Sequence, residues 1–175
     1  MTAVAAVAKR YQMDSDILQE VLSHYTVNNG RMEAFQMGSN DVTLNLAKNP
    51  VGANMTLRVM NEMQGEKELL FVLNDNIADG LDVSWIWDIN FSTFRNVTRV
   101  VTSGTRAYDI AVRIKCSGYD ARNIVVRPDL DEAVAELNTT QGKKFVIANY
   151  TAVQPTRSAL QRWIAHHRGA AHETN

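Results

Sequence analysis

Leu69-Leu70-Phe71-Val72-Leu73-Asn74-Asp75-Asn76-Ile77-Ala78-Asp79-Gly80-Leu81-Asp82-Val83-Ser84-Trp85-Ile86-Trp87-Asp88 contains the change of character on which the fold turns. Leu69 to Leu73 form an unbroken apolar run, the pattern of a strand covered on both faces rather than one half in water. The fifteen residues from Asn74 to Asp88 then carry four carboxylates and two indoles. A polar loop directly after a buried strand sits at the strand's carboxyl end, the edge where open α/β sheets usually bind ligands.

Downstream the same rhythm repeats. Strands are read at Val97–Thr102, Asn123–Val126 and Lys143–Ala148, alternating with helices at Thr105–Cys116, Asp129–Leu137 and Val153–Ile164. Strands alternating with helices of this length require crossover connections and a mainly parallel sheet. Upstream, Asn28, Asn29 and Gly30 make a turn into two strands, Met32–Met37 and Val42–Leu46, joined at Gly38 to Asp41 as a hairpin. Pro50 opens a helix carrying Leu57, Met60 and Met63 on one face, stopped by Gly65. The fold class is therefore α/β: a mainly parallel, Rossmann-like sheet flanked by helices, with an N-terminal β-hairpin.

The first 27 residues read as two helices, Thr2–Gln12 and one capped at Asp14 or Ser15 with Ile17, Val21, Leu22 and Tyr25 in a stripe that should pack on the main sheet. A helix starting at the initiator Met without a cap suggests either a compact natural start or a boundary cut inside a longer chain; the second is favoured, which makes residues 1–27 the end of a preceding domain or its linker. The α/β domain is expected over 28–165, and 166–175 as a disordered tail.

At 175 residues the chain can bury one ordinary core. A net charge of −1 supplies no global field for nucleic acid or anionic lipid. The single Cys116 cannot form an internal disulfide and reads as a small buried apolar residue in a reducing, cytoplasmic protein. No run approaches the length of a transmembrane span, and no export signal is expected. No Cys/His spacing suggests a metal site: His24 reads as a packing or surface residue, and His166, His167 and His172 fall in the expected tail. Neither a Walker A loop nor a GxGxxG fingerprint is present, so the chain should hold neither ATP nor a dinucleotide unaided.

Three loops fall at carboxyl strand ends. Leu46 to Asn54 is a strand-to-helix turn whose amides and Lys48 could meet a phosphate or carboxylate, although Asn49-Pro50 is also an ordinary helix start. Val101 to Arg106 places Gly104, Thr105 and Arg106 at a helix N-terminus, a geometry shared by anion sites and plain caps. In the Asn74–Asp88 loop, crowded carboxylates could bind a cation or orient an imidazole. The plainer reading has Asp75, Asp79 and Asp82 capping turns around Gly80 while Trp85 and Trp87 anchor the loop to the core.

Taken in order, Asn28-Asn29-Gly30-Arg31-Met32-Glu33, Leu46 to Pro50, Leu73 to Asp88 and Thr102 to Arg106 resemble the C-terminal domain of the MurT family, across nearly the whole chain. The resemblance implies a Mur ligase C-terminal type of domain. It implies a subunit of a complex that amidates the D-glutamate of the lipid II stem peptide to D-isoglutamine: ATP activates the carboxylate, and ammonia from a GatD-type glutaminase displaces the phosphate. It implies ATP and Mg²⁺ in the full-length enzyme, bound mainly by domains absent here, none for this piece alone, and inactivity of the isolated domain. It also implies that this subunit supplies the acidic member of the glutaminase triad. That role falls on Asp82 first, with Asp79 and Asp75 in reserve. Lys48, Asn49, Asn74, Thr105 and Arg106 would face nucleotide or substrate, with Lys48 standing where many Mur ligases have His. Work at the inner membrane face on lipid II, and no nucleic-acid partner, complete the expectation. The rivals are a non-catalytic interaction module docking through Trp85 and Trp87, and a folate-polyglutamate-ligase-like domain.

Overall fold

A computed structural model describes residues 2–24 and 30–170. The chain order is α1 (Thr2–Arg10), α2 (Ser15–His24), β1 (Glu33–Met37), β2 (Asn40–Leu46), α3 (Pro50–Glu62), β3 (Lys67–Val72), β4 (Val97–Ser103), α4 (Ala107–Cys116), β5 (Ile124–Val126), α5 (Leu130–Leu137), β6 (Lys143–Ala148) and α6 (Tyr150–Ala170). Short 3₁₀ turns fill Ile77–Asp79, Ser84–Asp88, Phe91–Thr93 and Ala121–Asn123. The six strands lie in the order β1-β2-β6-β3-β4-β5, with only β1 antiparallel to its neighbour. The expected α/β architecture and hairpin are both present.

Every residue of β3 is buried, as an apolar run covered on both faces requires. Leu69, Phe71 and Leu73 join one core layer with Leu57, Ile86, Phe91, Ile110 and Phe145. Leu70 and Val72 join the opposite layer with Leu44, Val101, Val134, Val146 and Leu160. α3, α4 and the 3₁₀ turns at Ser84–Asp88 and Phe91–Thr93 therefore cover one face, and α5 and α6 the other. Each such Leu or Phe contributes about 1.5–3 kcal/mol relative to exposure. The hairpin is tied to α6 at its base. Glu33 takes two bonds from Arg157, from Nε at 2.9 Å and Nη2 at 2.7 Å. Gly30, at φ +73°, would place a Cβ 2.5 Å from Val153 Cγ1.

Several expectations are corrected. α2 buries none of its residues, and Ile17 and Val21 stay exposed, so this helix does not pack on the sheet. Tyr25, Asn28 and Asn29 lie outside the described residues. Cys116 is exposed, because the last turn of α4 points it off the sheet rather than into it. α6 starts at Tyr150 rather than Val153 and continues past Ile164 to Ala170. His167 stacks on Trp163 at 3.8 Å inside that extension, where a tail was expected from residue 166. His172 lies outside the described residues.

The lower end of the sheet carries a polar arrangement that strand patterning did not foresee. Glu68 and Lys144 are register partners on β3 and β6, both buried, with Nζ 2.9 Å from Oε2 and Thr140 bonded to each. Tyr119 lies half-buried nearby, its hydroxyl donating to Val97 O at 3.0 Å. Burial first, then the Glu68 and Asp120 carboxylates, push its pKa up to about 12. The native state favours the neutral phenol, so its stabilising effect is complete below pH 10 and is lost as pH rises through about 12. Wild type should therefore lose more stability across that window than Tyr119→Phe, measured by urea unfolding at stepped pH; parallel pH profiles would remove Tyr119 from the account.

Candidate functional site

Strand register places the loops on one edge. Leu46 pairs with Ala148, Ala148 with Val72, and Val72 with Ser103, so four strands end at the same level. β3 connects onward to β4 on one side while β6 turns back over the other face. The crevice between their carboxyl ends is thus the switch point of this sheet.

Two asparagines close that crevice. Asn149, buried after β6, accepts from Asn74 N at 3.0 Å and donates to Asn74 O at 2.7 Å, continuing the strand pairing with a side chain. The Asn74 amide in turn accepts from Thr105 N at 3.1 Å and donates to Thr151 Oγ1 at 3.3 Å. Thr151 is the second fixing point. It donates its backbone N–H to Asp79 Oδ1 at 2.8 Å and its hydroxyl to Asp79 Oδ2, and it accepts from Asn76 Nδ2 at 2.8 Å. The first turn of α6 thereby holds the 3₁₀ turn at Ile77–Asp79. Neither Asn149 nor Thr151 stood out in the sequence. The one available signal was an Asn ending each of two apolar strands that prove to be neighbours.

The same closure settles the Ser103-Gly104-Thr105 turn. The Thr105 amide is occupied by Asn74 and the Arg106 amide by Leu73 O at 2.9 Å, so they do not point outward to an anion. Gly104 has φ +92°, and a Cβ there would stand 2.5 Å from Leu73 O and 2.6 Å from Asn74 Oδ1. Gly104→Ala should cost at least about 1–3 kcal/mol from backbone strain alone, before any displacement of the β3 loop. Urea unfolding reads the loss; an unchanged midpoint would mean that the two loops separate freely.

The three candidate carboxylates differ sharply. Asp75 receives Thr105 Oγ1 at 2.7 Å and lies 3.4 Å from Arg106 Nε, which also approaches Asp109 at 3.6 Å. Asp79 is committed to Thr151. Asp82 is exposed, and among the described residues its only hydrogen-bonding partner is Ser84, two residues on, whose N–H donates at 2.7 Å. That N–H, and then the Ser84 hydroxyl, hold the Asp82 pKa below its ordinary value, so the group is ionised at neutral pH. Gly80, at φ +83°, supplies the bend between the pinned and the free parts of the loop.

Of the two indoles, Trp85 is half-buried against the core beside Ile86, as expected of an anchor. Trp87 is not an anchor: it is 55% exposed. The 3₁₀ turn at Ser84–Asp88 sends Ile86 inward and turns its neighbour out, with the Arg113 guanidinium 5.5 Å from the Trp87 ring. At the other end of the edge, Asn49 caps α3 through Gly52 N at 2.8 Å, and Lys48 stands exposed beside it. Lys48 is thus not drawn into the Asn74–Thr105–Arg106 assembly. No group of three His, Cys, Asp or Glu among the described residues could hold a metal ion. The Thr105 and Arg106 amides, which lead into α4, are already bonded within the chain.

The fold and this edge define the C-terminal α/β domain of Mur-type ligases. The chain resembles UDP-N-acetylmuramate-alanine ligase MurC from Thermotoga maritima at TM-score 0.71 and 12% identity, covering 96% of this chain and 36% of that one. It resembles MurF from Acinetobacter baumannii at TM-score 0.69 and 15% identity, covering 94% and 36%. A likeness to Mycobacterium tuberculosis folylpolyglutamate synthase has TM-score 0.60 and 17% identity, covering 91% and 37%; at such identities these likenesses establish the fold alone. Within that class the chain belongs to the MurT ligase C-terminal family, whose model matches residues 46–153. It is 33% identical over 162 residues to the MurT subunit of the glutamine-hydrolysing lipid II isoglutaminyl synthase of Staphylococcus aureus, and 32% over 161 residues to that of Streptococcus pneumoniae. These alignments cover 91% and 90% of this chain but only 37% and 36% of those proteins, so the chain spans little more than a third of the curated relatives it matches.

Proposed function

We propose that this chain is the C-terminal domain of a subunit that, with a GatD-type glutaminase, amidates the D-glutamate of lipid II in an ATP-dependent reaction of peptidoglycan synthesis. Its own part is to dock the glutaminase and to complete its active site with Asp82. The observation that carries this reading is the division within the Asn74–Asp88 loop: Asp75 and Asp79 are spent on internal contacts, while Asp82 is ionised, exposed and, among the described residues, free of tertiary partners.

A carboxylate in that state suits one chemical task. Bonded to the Nδ1–H of the partner's histidine, it fixes the tautomer whose Nε2 takes a proton from the cysteine nucleophile, and it stabilises the resulting imidazolium. The thiolate can then attack the glutamine amide, and ammonia leaves. The carboxylate can sit on any chain that reaches the imidazole, and an exposed loop on a rigid sheet edge reaches outward. ATP and Mg²⁺ would be held mainly by parts of the longer protein outside this chain; Lys48 is the residue here that is free to meet a phosphate or the acceptor. Alone, the domain should neither hydrolyse glutamine nor turn over ATP. No described helix is long and apolar enough to cross a membrane, and the complex would act on lipid II from the cytoplasmic face. A crystal structure of the chain with its glutaminase tests the assignment: Asp82 should lie within hydrogen-bond reach of the catalytic histidine, and Asp75 or Asp79 in that place would overturn it.

A further inference from the structure

Asp82 sits between two fastenings of its loop. Upstream, Thr151 holds both oxygens of Asp79. Downstream, Val83 and Ile86 are buried in the core layer that contains Leu57 and Ile110. Apolar burial resists lifting this segment off the core, but it has no direction and does not set the segment's rotation. Hydrogen bonds do.

Arg113, half-buried on α4, supplies them. It donates Nε to Ile86 O at 3.2 Å and Nη2 to Ile89 O, so one planar guanidinium bridges two carbonyls. Its central carbon lies 5.5 Å from the Trp87 ring centroid and 5.5 Å from that of Phe91, within the range of cation–π contact. Each carbonyl also accepts a backbone amide, Ile86 O from Ile89 N and Ile89 O from Phe91 N, both at 3.2 Å. The end of the Ser84–Asp88 turn is thereby held in one orientation.

That turn carries the constraint to Asp82. Its first amide, Ser84 N–H, is the group bonded to Asp82 Oδ1 at 2.7 Å, and Val83 O accepts from Ile86 N at 3.1 Å. A carboxylate therefore stands at the amide end of the turn and a guanidinium at its carbonyl end, the polarity that aligned peptide dipoles favour. Any rotation of the turn would swing Ser84 N–H, and the carboxylate with it. A catalytic group must be held to within about 0.5 Å of its productive place.

We propose that Arg113 is a positioning residue for Asp82: its fork fixes the rotation of the Ser84–Asp88 turn, and through Ser84 N–H it fixes the direction in which the carboxylate meets the glutaminase histidine. The proposal rests on the functional reading above and adds to it a residue that acts only through the backbone.

Two variants separate geometry from charge. Arg113→Lys keeps the charge and a long stem but not the planar fork, and Arg113→Met removes the charge as well. In the 175-residue chain, hydrogen exchange at the Ser84 amide, followed by NMR, should quicken in both by at least about tenfold relative to Leu70 in the buried β3, as loss of bonds from a charged donor does. The Asp82 carboxyl should titrate at higher pH than in wild type, because its ionised form loses a donor. With the glutaminase, at saturating chain, kcat for glutamine should fall by about tenfold or more and KM change by less than about twofold, since misplacing a reacting group by about 1 Å costs on the order of 10²-fold. A merely structural Arg113 would lower the urea midpoint but leave kcat and the Ser84-to-Leu70 exchange ratio at wild-type values; with Asp82→Asn inactive in the same assay, that result overturns the proposal and leaves the Asp82 reading intact. Wild-type kcat in Arg113→Lys beside a loss in Arg113→Met overturns it too, because charge alone would then suffice. Full turnover in Asp82→Asn overturns the functional reading itself, and the catalytic role of Arg113 with it.

Discussion

Asp82→Asn, assembled with the glutaminase, should lower the rate of glutamine hydrolysis by about 10³–10⁴-fold while the complex still forms. The size follows from the chemistry. An amide in place of the carboxylate keeps shape and hydrogen-bonding capacity, but it can present its NH₂ to the imidazole, select the wrong tautomer and leave the imidazolium without a counter-charge. The fold should not register the change, because among the described residues Asp82 bonds only to Ser84, two residues on, and is exposed. Asp79→Asn should behave differently: both Asp79 oxygens are bonded to Thr151, so its loss should loosen the 3₁₀ turn and reduce turnover only indirectly. Glutamine hydrolysis measured over a range of pH separates these cases. With its pKa held low, Asp82 should add no acid limb near neutrality, and any remaining profile belongs to the partner's cysteine and histidine. Wild-type turnover in Asp82→Asn would reduce the loop to a docking element and favour the non-catalytic interaction module.

The second large effect is on stability. Glu68→Ala should cost about 3–5 kcal/mol, since it strands the Lys144 ammonium in a site that is 1% exposed. Thr140 alone would then remain bonded to Nζ. The pair need not be a net stabiliser to give this result, because the cost lies in the uncompensated charge. For the same reason Glu68→Leu combined with Lys144→Met should recover most of the loss. Urea unfolding of the single and double variants reads both quantities. A single-variant loss below about 1 kcal/mol would mean that water reaches the ammonium as readily as Glu68 does.

Much of this was legible in the sequence, for identifiable reasons. The run Leu69–Leu73 could be apolar throughout only if helices covered both faces, and the alternation of its residues between the two core layers bears this out. Asn49-Pro50 marked the start of α3 because a cap side chain and a missing N–H act locally. The Asn74–Asp88 loop was conspicuous because carboxylates and indoles rarely crowd together after a buried strand. What was not legible were the partners. Asp75, Asp79 and Asp82 look alike along the chain. They are told apart by Thr105 and Thr151, which lie 30 and 72 residues away from Asp75 and Asp79. Residue type alone points both Cys116 and Trp87 inward. Their exposure depends on the phase of a helix and of a 3₁₀ turn against the sheet.

By itself, then, the sequence determined the alternation of strands and helices, the hairpin, the carboxyl-edge position of the acidic loop and the family resemblance, because periodicity, caps and motif spacing are local properties. Only the tertiary structure decided the strand order that sets β6 beside β3, and with it the Asn74–Asn149 clasp, the Asp79–Thr151 lock and the buried Glu68–Lys144 pair. Each of these joins residues more than seventy positions apart, and the energy of a buried polar contact depends on which partner arrives, not on the residue type that waits for it. Asp82 differs from its neighbours for the same reason: among the described residues no distant partner reaches it.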